Sequence, residues 1–243
     1  MKLLVVTAHP DDETFGPGAT LAKYAAHGVE VVLLCATRGE SGKCGIPDIC
    51  PGSDLGSLRV AELEKAASIL GIKQVENLGY PDGGLCWVPG EELVGKILAR
   101  MEDVRPGVVL TFPPGGISGH PDHVAVSRAT TEAFHRARQV GVGVERLYYF
   151  TIHPGRIPAG RKVDPEDLRF TTLVDVKDWL EIKIRAVEAH RTQSHSAERI
   201  FKGFPPEMRR ILAADRFYRV FPPLQEENGV QEYCLFDRNL RRS

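Results

Sequence analysis

A chain of 243 residues has room for one large domain or two small ones, and it can bury roughly 70–75% of its unfolded surface. With 31 Lys+Arg against 32 Asp+Glu, a formal net charge of −1 leaves no global electrostatic pull towards nucleic acid or an anionic membrane. A hydrophobic fraction of 42% with 26% charged residues excludes wholesale disorder, and five cysteines, an odd number in a long chain, argue against a disulfide framework and make a reducing cytoplasm the default.

The first apolar run ends at Ala8, too short for a signal-peptide core, and no later run approaches a membrane span, so no membrane insertion is expected. Leu3 to Thr7 is rich in aliphatic and β-branched residues and predicts a strand buried on both faces. Pro17 to His27 predicts a helix stopped by Gly28, and Val29 to Ala36 a second buried strand. Together they make a right-handed, parallel βαβ unit. Thr37 to Ser57 is a long Gly/Pro loop. Ser57 then stands as the N-cap of a helix over Leu58 to Leu70, stopped by Gly71.

A short strand follows at Val75 to Leu78, then a turn at Tyr80-Pro81-Asp82-Gly83-Gly84 and a helix over Glu91 to Val104. Val108 to Phe112 is a third strongly apolar strand, Pro113 to Gly119 a loop, Pro121 to Val140 a helix and Arg146 to Ile152 a strand. His153 to Arg169 reads as a surface excursion. Beyond it the pattern predicts a strand at Thr171 to Val174, helices at Asp178 to Arg191 and Pro205 to Ala213, and late strands at Tyr218 to Val220 and Glu232 to Phe236. Alternating strands and helices without a long linker predict one α/β domain over 1–243, a Rossmann-like, mostly parallel sheet flanked by helices. The metal-ligand residue types fall in its half 1–150, and 151–243 is left for the substrate side.

In open α/β sheets ligands bind outside the carboxyl ends of the strands. The first strand ends in His9-Pro10-Asp11-Asp12-Glu13, and the strand at Val108–Phe112 leads to His120-Pro121-Asp122-His123. One His-Pro-Asp triplet alone is usually a turn, because Pro presets φ and Asp caps helices. Two at the carboxyl ends of two parallel strands reverse that reading. His9, Asp12 and His123 make a His–Asp–His set of the kind that binds zinc with an open position for water, whose pKa a bound metal lowers to about 7. Fe2+ or Co2+ would suit the same donors. Asp11 stands beside Asp12 and can reach that water as a base. His120, three residues before His123, can face the substrate as a proton or hydrogen-bond donor, with Asp122 holding it in one tautomer and raising its pKa.

On these residues the chain resembles the LmbE-like, or PIG-L, family of metal-dependent N-deacetylases. Thr37-Arg38-Gly39-Glu40-Ser41-Gly42, Arg59 with Glu62, Asp82-Gly83 and His190-Arg191-Thr192-Gln193 add weaker support, in the family's usual order over about 185 residues. The resemblance implies one zinc per chain on His9, Asp12 and His123, with Asp11 as general base. It implies His120, paired with Asp122, as acid or electrostatic stabiliser, and Arg59 and Asp82 on sugar hydroxyls. The reaction implied is hydrolysis of an acetamide on a glucosamine-type sugar, in a homo-oligomer. Some members carry a Tyr two residues before the first His of the second motif; here Ser118 stands there, so that oxyanion role is unassigned. The sequence leaves the general acid open between Asp11 and His120.

Other motifs fail. Gly39–Cys44 lacks the first Gly and the Ser/Thr of a P-loop, Gly16-Pro17-Gly18 lacks the third Gly of a dinucleotide fingerprint, and no Gly-x-Ser-x-Gly elbow occurs. Without the family, Arg59 reads as a solvated helix-face residue paired with Glu62 or Glu64, and His190 with Gln193 as a surface pair at a helix end. Cys44 and Cys50 are expected as free thiols. Two other functional readings stand beside the amino-sugar deacetylase: the same chemistry on another amide, such as a thiol-sugar conjugate or an amino-sugar antibiotic precursor, and a sugar- or metal-binding protein without turnover.

Overall fold

The aliphatic run at the start of the chain becomes the centre of the molecule. A computed structural model describes residues 1–45, 50, 54–225 and 229–236, and in it Leu3, Leu4 and Val5 are completely buried. This strand, β1 (Lys2–Thr7), is flanked by β2 (Glu30–Thr37) and β4 (Val108–Thr111), both parallel to it. With β3 (Gln74–Tyr80), β5 (Arg146–Thr151), β6 (Thr172–Asp175) and β7 (Ala214–Phe221) they form one seven-stranded sheet in the order β3-β2-β1-β4-β5-β7-β6. A strand covered on both faces has no polar side to show, which is why β1, β2 and β4 read as continuous apolar runs rather than alternating ones.

The helices are a single turn α1 (Asp12–Phe15), then α2 (Gly18–Ala26), α3 (Leu55–Leu70), α4 (Gly90–Val104), α5 (Pro121–Gln139), α6 (Leu180–Ala189), α7 (Ser194–Phe201) and α8 (Pro206–Leu212). Among the described residues no helix is long and apolar enough to cross a membrane.

The parallel α/β expectation holds for five strands. The sixth and seventh depart from a Rossmann order: β7 runs antiparallel to both β5 and β6. Glu232 to Phe236 is not a strand. Its one bridge joins Glu232 to Thr172, with backbone bonds from the Leu173 amide to Glu232 and from the Glu232 amide to Thr171, and side chains hold it further: the Tyr24 hydroxyl accepts from the Leu235 amide at 2.8 Å and the Tyr148 hydroxyl donates to Glu232 at 3.2 Å. The helix predicted from Leu58 begins earlier, at Leu55, because Asp54 rather than Ser57 is the N-cap: its carboxylate accepts from the Ser57 amide. Much of the long loop, residues 46–49 and 51–53, lies outside the described residues. At its flanks Cys44 and Cys50 are paired as a disulfide, with Cα atoms 6.3 Å apart, in place of two free thiols.

From β1 the chain works outwards through β2 and β3, and from β4 outwards in the opposite direction to β5. The strand order therefore reverses between β1 and β4, and at such a switch point the loops leaving the two carboxyl ends part to form a crevice. Both His-Pro-Asp segments leave the sheet there.

Candidate metal centre and active site

His9 follows β1 directly, and the turn after it is tightly constrained. Asp11 adopts φ of +123°, a region that costs an L-residue of order 1–3 kcal/mol, and its carbonyl accepts from the amides of Thr14 and Phe15. Glu13, completely buried, fixes the turn from beneath: it accepts from the Asp11 amide at 3.1 Å, from the Thr14 hydroxyl, and from His190 Nε2 at 2.8 Å. His190 is therefore a buried anchor and not part of a surface pair. Gln193 is buried too, and its amide reaches the Lys43 carbonyl at 3.4 Å.

The second motif sits at the start of α5. His120 is the N-cap, its Nδ1 accepting from the Asp122 amide at 3.2 Å. His123, one turn on, stacks on Phe112 with ring centroids 4.1 Å apart, and its Nδ1 lies 3.0 Å from the Gly116 carbonyl. The loop carrying Gly116 is itself held by Asp167, which accepts from the amides of Gly115 (2.9 Å) and Ile117 (2.8 Å). Gly116 has φ of +68°, and a Cβ there would fall 2.6 Å from that of His123, so only glycine lets this loop close on the ring.

These elements bring together two ring nitrogens and the two oxygens of one carboxylate. His9 Nδ1 is 3.2 Å from His123 Nε2 and 3.6 Å from Asp12 Oδ2, and His123 Nε2 is 3.4 Å from Asp12 Oδ1. Donors about 2.0–2.1 Å from one tetrahedral ion stand about 3.3–3.4 Å apart, so the set fits a zinc-sized ion with one position left open. A ring nitrogen from each of His9, His120 and His123 also lies within 4.8 Å of the other two, and the Nδ1 of His120 is taken up as the helix cap. The far nitrogen of each candidate ligand is supported. His9 Nε2 faces Asp82 at 3.0 Å and Asp122 at 3.1 Å, and His123 Nδ1 donates to Gly116, the pattern by which outer groups fix a ligand's tautomer.

Asp122 departs from its expected partner. Its carboxylate turns away from His120, accepts from the amides of Gly83 (2.7 Å) and Leu85 (3.1 Å), and meets His9 instead, because a residue in the first turn of a helix points along the helix side and not back at its own cap. Nor is the pKa of His120 raised. Burial and the neighbouring His9 and His123 lower it against the pull of Asp122 and Asp12, leaving a neutral ring. With Nδ1 accepting, its proton is on Nε2, free to be donated.

Arg59 is likewise not a solvated helix-face residue. It is buried, donating to the carbonyls of Gly39 (2.7 Å) and Pro10 (2.6 Å) and pairing with Asp11 at 3.3 Å. Gly39, with φ of +69°, makes room: a Cβ there would lie 2.3 Å from the guanidinium. Glu62 points elsewhere, accepting from Thr192. Burial raises the pKa of Asp11 to about 6, with Arg59 restraining the rise and Asp12 adding to it. Asp12 has its pKa held well below the ordinary carboxylate value: burial opposes its charge, but His123 and His9 prevail. Burial also works against a charge on His9, yet Asp12, Asp122 and Asp82 overcome it and hold its pKa at about 12.

Asp82 uses one carboxylate oxygen on His9 and accepts from the Ser41 amide with the other. Its amide donates to Glu40 Oε1, while Glu40 Oε2 and Arg59 Nε are buried without a partner. Glu40, Glu13 and Asp167 carry no signal that the residue patterns alone could reveal. They act across 42, 177 and about 50 positions respectively.

Residues 4–134 match the family described as PIG-L: GlcNAc-PI de-N-acetylase. A 1D-myo-inositol 2-acetamido-2-deoxy-alpha-D-glucopyranoside deacetylase of Saccharomonospora viridis is 34% identical, over 79% of this chain and 84% of its own length. The enzyme of that name from Acidothermus cellulolyticus is 32% identical, over 79% of each chain. The conserved protein TT1542 from Thermus thermophilus superposes with a TM-score of 0.64 at 30% identity, over 92% of this chain and 96% of that one. N,N'-diacetylchitobiose deacetylase from Pyrococcus horikoshii superposes with a TM-score of 0.70, over 90% of this chain and 83% of that one, and at 22% identity it establishes the shared fold. The chain belongs to the PIG-L family of deacetylases.

A consequence can be measured directly. Without a metal, His9 is protonated at pH 7, since its pKa is about 12, and an ion taking Nδ1 must displace that proton. Titrating zinc into metal-free protein at pH 7 is expected to release at least one proton per ion, read as a dependence of the calorimetric heat on the ionisation enthalpy of the buffer. Stoichiometric binding with no such dependence would place the ion away from His9.

Proposed function

We propose that the protein is a metal-dependent N-deacetylase that hydrolyses the acetamide of an N-acetylated amino sugar to acetate and the free amine, with zinc held by His9, Asp12 and His123. The observation that carries the reading is the tetrahedral spacing of those three donors with a second, separately held carboxylate, Asp11, beside them. Zinc bound there supplies Lewis acidity, polarising the acetamide carbonyl and acidifying water. A site for binding alone has no use for Asp11, whose pKa of about 6 suits a group that must take up and release a proton near neutrality.

In this mechanism Asp11 accepts the proton of the attacking water and returns it to the leaving amine. His120, kept neutral, is poorly suited to give up a full proton. It donates its Nε2–H to the oxygen that gains negative charge, the role that Ser118 leaves vacant. Asp122 and Asp82 hold His9 by Nε2. Arg59 keeps part of the Asp11 population ionised. The sugar arm is assigned to the polar wall of Asp82, Glu40 and Arg59, where Asp82, with one oxygen on His9 and the other on the Ser41 amide, keeps spare lone pairs. The relatives named for a glucosaminyl-inositol substrate support an amino sugar as the amine component.

Metal-loaded protein is expected to release acetate from N-acetylglucosaminyl substrates, to lose this activity to a chelator and to regain it with zinc. Asp11→Asn should keep its zinc and lose a factor on the order of 10²–10⁴ in rate. Loss of zinc from that variant, seen by elemental analysis, would make Asp11 a ligand and overturn the assignment.

The pH profile offers a second check. A base must be ionised, so the rate rises with pH through the pKa of Asp11. The Arg59 cation lowers that pKa, so Arg59→Leu must raise it and move the rising limb to higher pH. A limb that stays put, or moves to lower pH, would separate Asp11 from the titration.

A further inference from the structure

The donor cluster has two unlike sides. On one, Asp11, Arg59, Glu40 and Asp82 form the polar wall already described. On the other a cleft of about 140 Å³ runs from Asp12, His123 and Ser118 into the protein. Its wall is almost entirely carbon and includes Phe15, Phe112, Phe150, Ile117, Ile152 and Ile157. Three arginines border it: Arg156 donates to the Phe15 carbonyl, Arg161 donates to the Ser118 carbonyl at 2.9 Å, and Arg199 is the third.

This cleft is far larger than an acetyl methyl needs. An apolar cavity of about 150 Å³ accepts a benzene molecule. An amide whose carbonyl carbon lies at the donor cluster sends its amine arm one way and its acyl arm the other. The amine arm of a sugar carries hydroxyls and suits the polar wall, which leaves the carbon-lined cleft to the acyl arm.

We propose that this cleft is an acyl pocket and that the protein takes amino sugars bearing apolar N-acyl groups longer than acetyl, up to about a hexanoyl chain. The proposal rests on the amide-hydrolase reading above and specifies its substrate class. The chemistry is unchanged: water adds to the acyl carbon, the C–N bond breaks, and the proton lost from water passes through Asp11 to the amine, leaving a medium-chain fatty acid and the free amino sugar. Each buried methylene strengthens binding by about fourfold. Four more methylenes than acetate carries, even if half their effect is realised, give more than tenfold.

The test uses the product acids, which cannot turn over. Hexanoate and acetate are titrated calorimetrically into zinc-loaded protein, and kcat/KM is measured in parallel for N-hexanoyl- and N-acetylglucosamine. Hexanoate is expected to bind at least tenfold more tightly than acetate. Ile157→Trp, at the half-buried rim, fills the cleft and should bring that ratio below about threefold. Equal affinity of the two acids for the unaltered protein overturns the acyl pocket, whether or not acetate is released from the acetyl substrate. Tight, Ile157-dependent hexanoate binding with no cleavage of either amide overturns the hydrolase reading and supports the pocket. A kcat/KM for the hexanoyl substrate below that for acetyl, with hexanoate bound no better than acetate, defines a strict deacetylase and refutes the proposal.

Discussion

Three carboxylates crowd around a single imidazole, and a fourth lies next to them. Asp12, Asp82 and Asp122 each meet His9, and Asp11 lies beside Asp12. Anions taken out of water repel one another and lose hydration, and only positive charge in their midst can offset both. Arg59 supplies one charge from below, and a protonated His9 supplies another in the absence of metal. A divalent cation at Nδ1 can replace that proton and deliver twice the charge. In the proposed chemistry the same excess of carboxylate that makes the empty cluster costly is what selects a cation, so the metal site and the electrostatics of the fold are one feature.

The surrounding structure can be understood as the means of holding this arrangement. The switch between β1 and β4 provides two loops that leave the sheet side by side. Each loop is then pinned by a group remote in sequence. Glu13 and His190 lock the strained turn at Asp11, and Asp167 locks the loop that closes on His123. At the far end of α1, the fully buried Lys183 donates to the Gly16 carbonyl at 2.6 Å, its pKa lowered by burial to about 8 with Asp215 nearby to limit the fall. Catalytic geometry tolerates displacements of well under an ångström, so rigidity in such supports matters as much as the groups they carry.

What was legible in the sequence follows from the range of the forces involved. Strands buried on both faces announce themselves as apolar runs, and β1, β2 and β4 were found to within one or two residues. Ligand types next to strand ends were equally plain, and the polar atoms of His9, Asp12 and His123 lie 3.2–3.6 Å apart, which is the spacing the proposed metal site rests on. The failures are of two kinds. Partner choice among close neighbours depends on side-chain direction, which spacing does not encode, so Asp122 turned to His9 and the Gly83 and Leu85 amides and left His120 neutral. Long-range contacts leave no local trace at all. Nothing in the 37–57 segment says that Glu40 will reach Asp82, and nothing in the Pro- and charge-rich stretch from His153 says that Asp167 will brace the His123 loop. The direction of β7, which lies between β5 and β6, was also invisible, because an antiparallel strand has the same local pattern as a parallel one.

In the proposed mechanism one cation sits on the Nδ1 side of His9, between Asp12 and His123. A competing cluster exists on the opposite face of the same ring, where His9, Asp82 and Asp122 offer donor atoms within 4.8 Å of one another. Anomalous diffraction from zinc-loaded crystals, collected on both sides of the zinc edge, distinguishes the two. The account predicts a single strong peak about 2.0–2.1 Å from His9 Nδ1, His123 Nε2 and an Asp12 oxygen. A peak between His9 Nε2, Asp82 and Asp122 would contradict it.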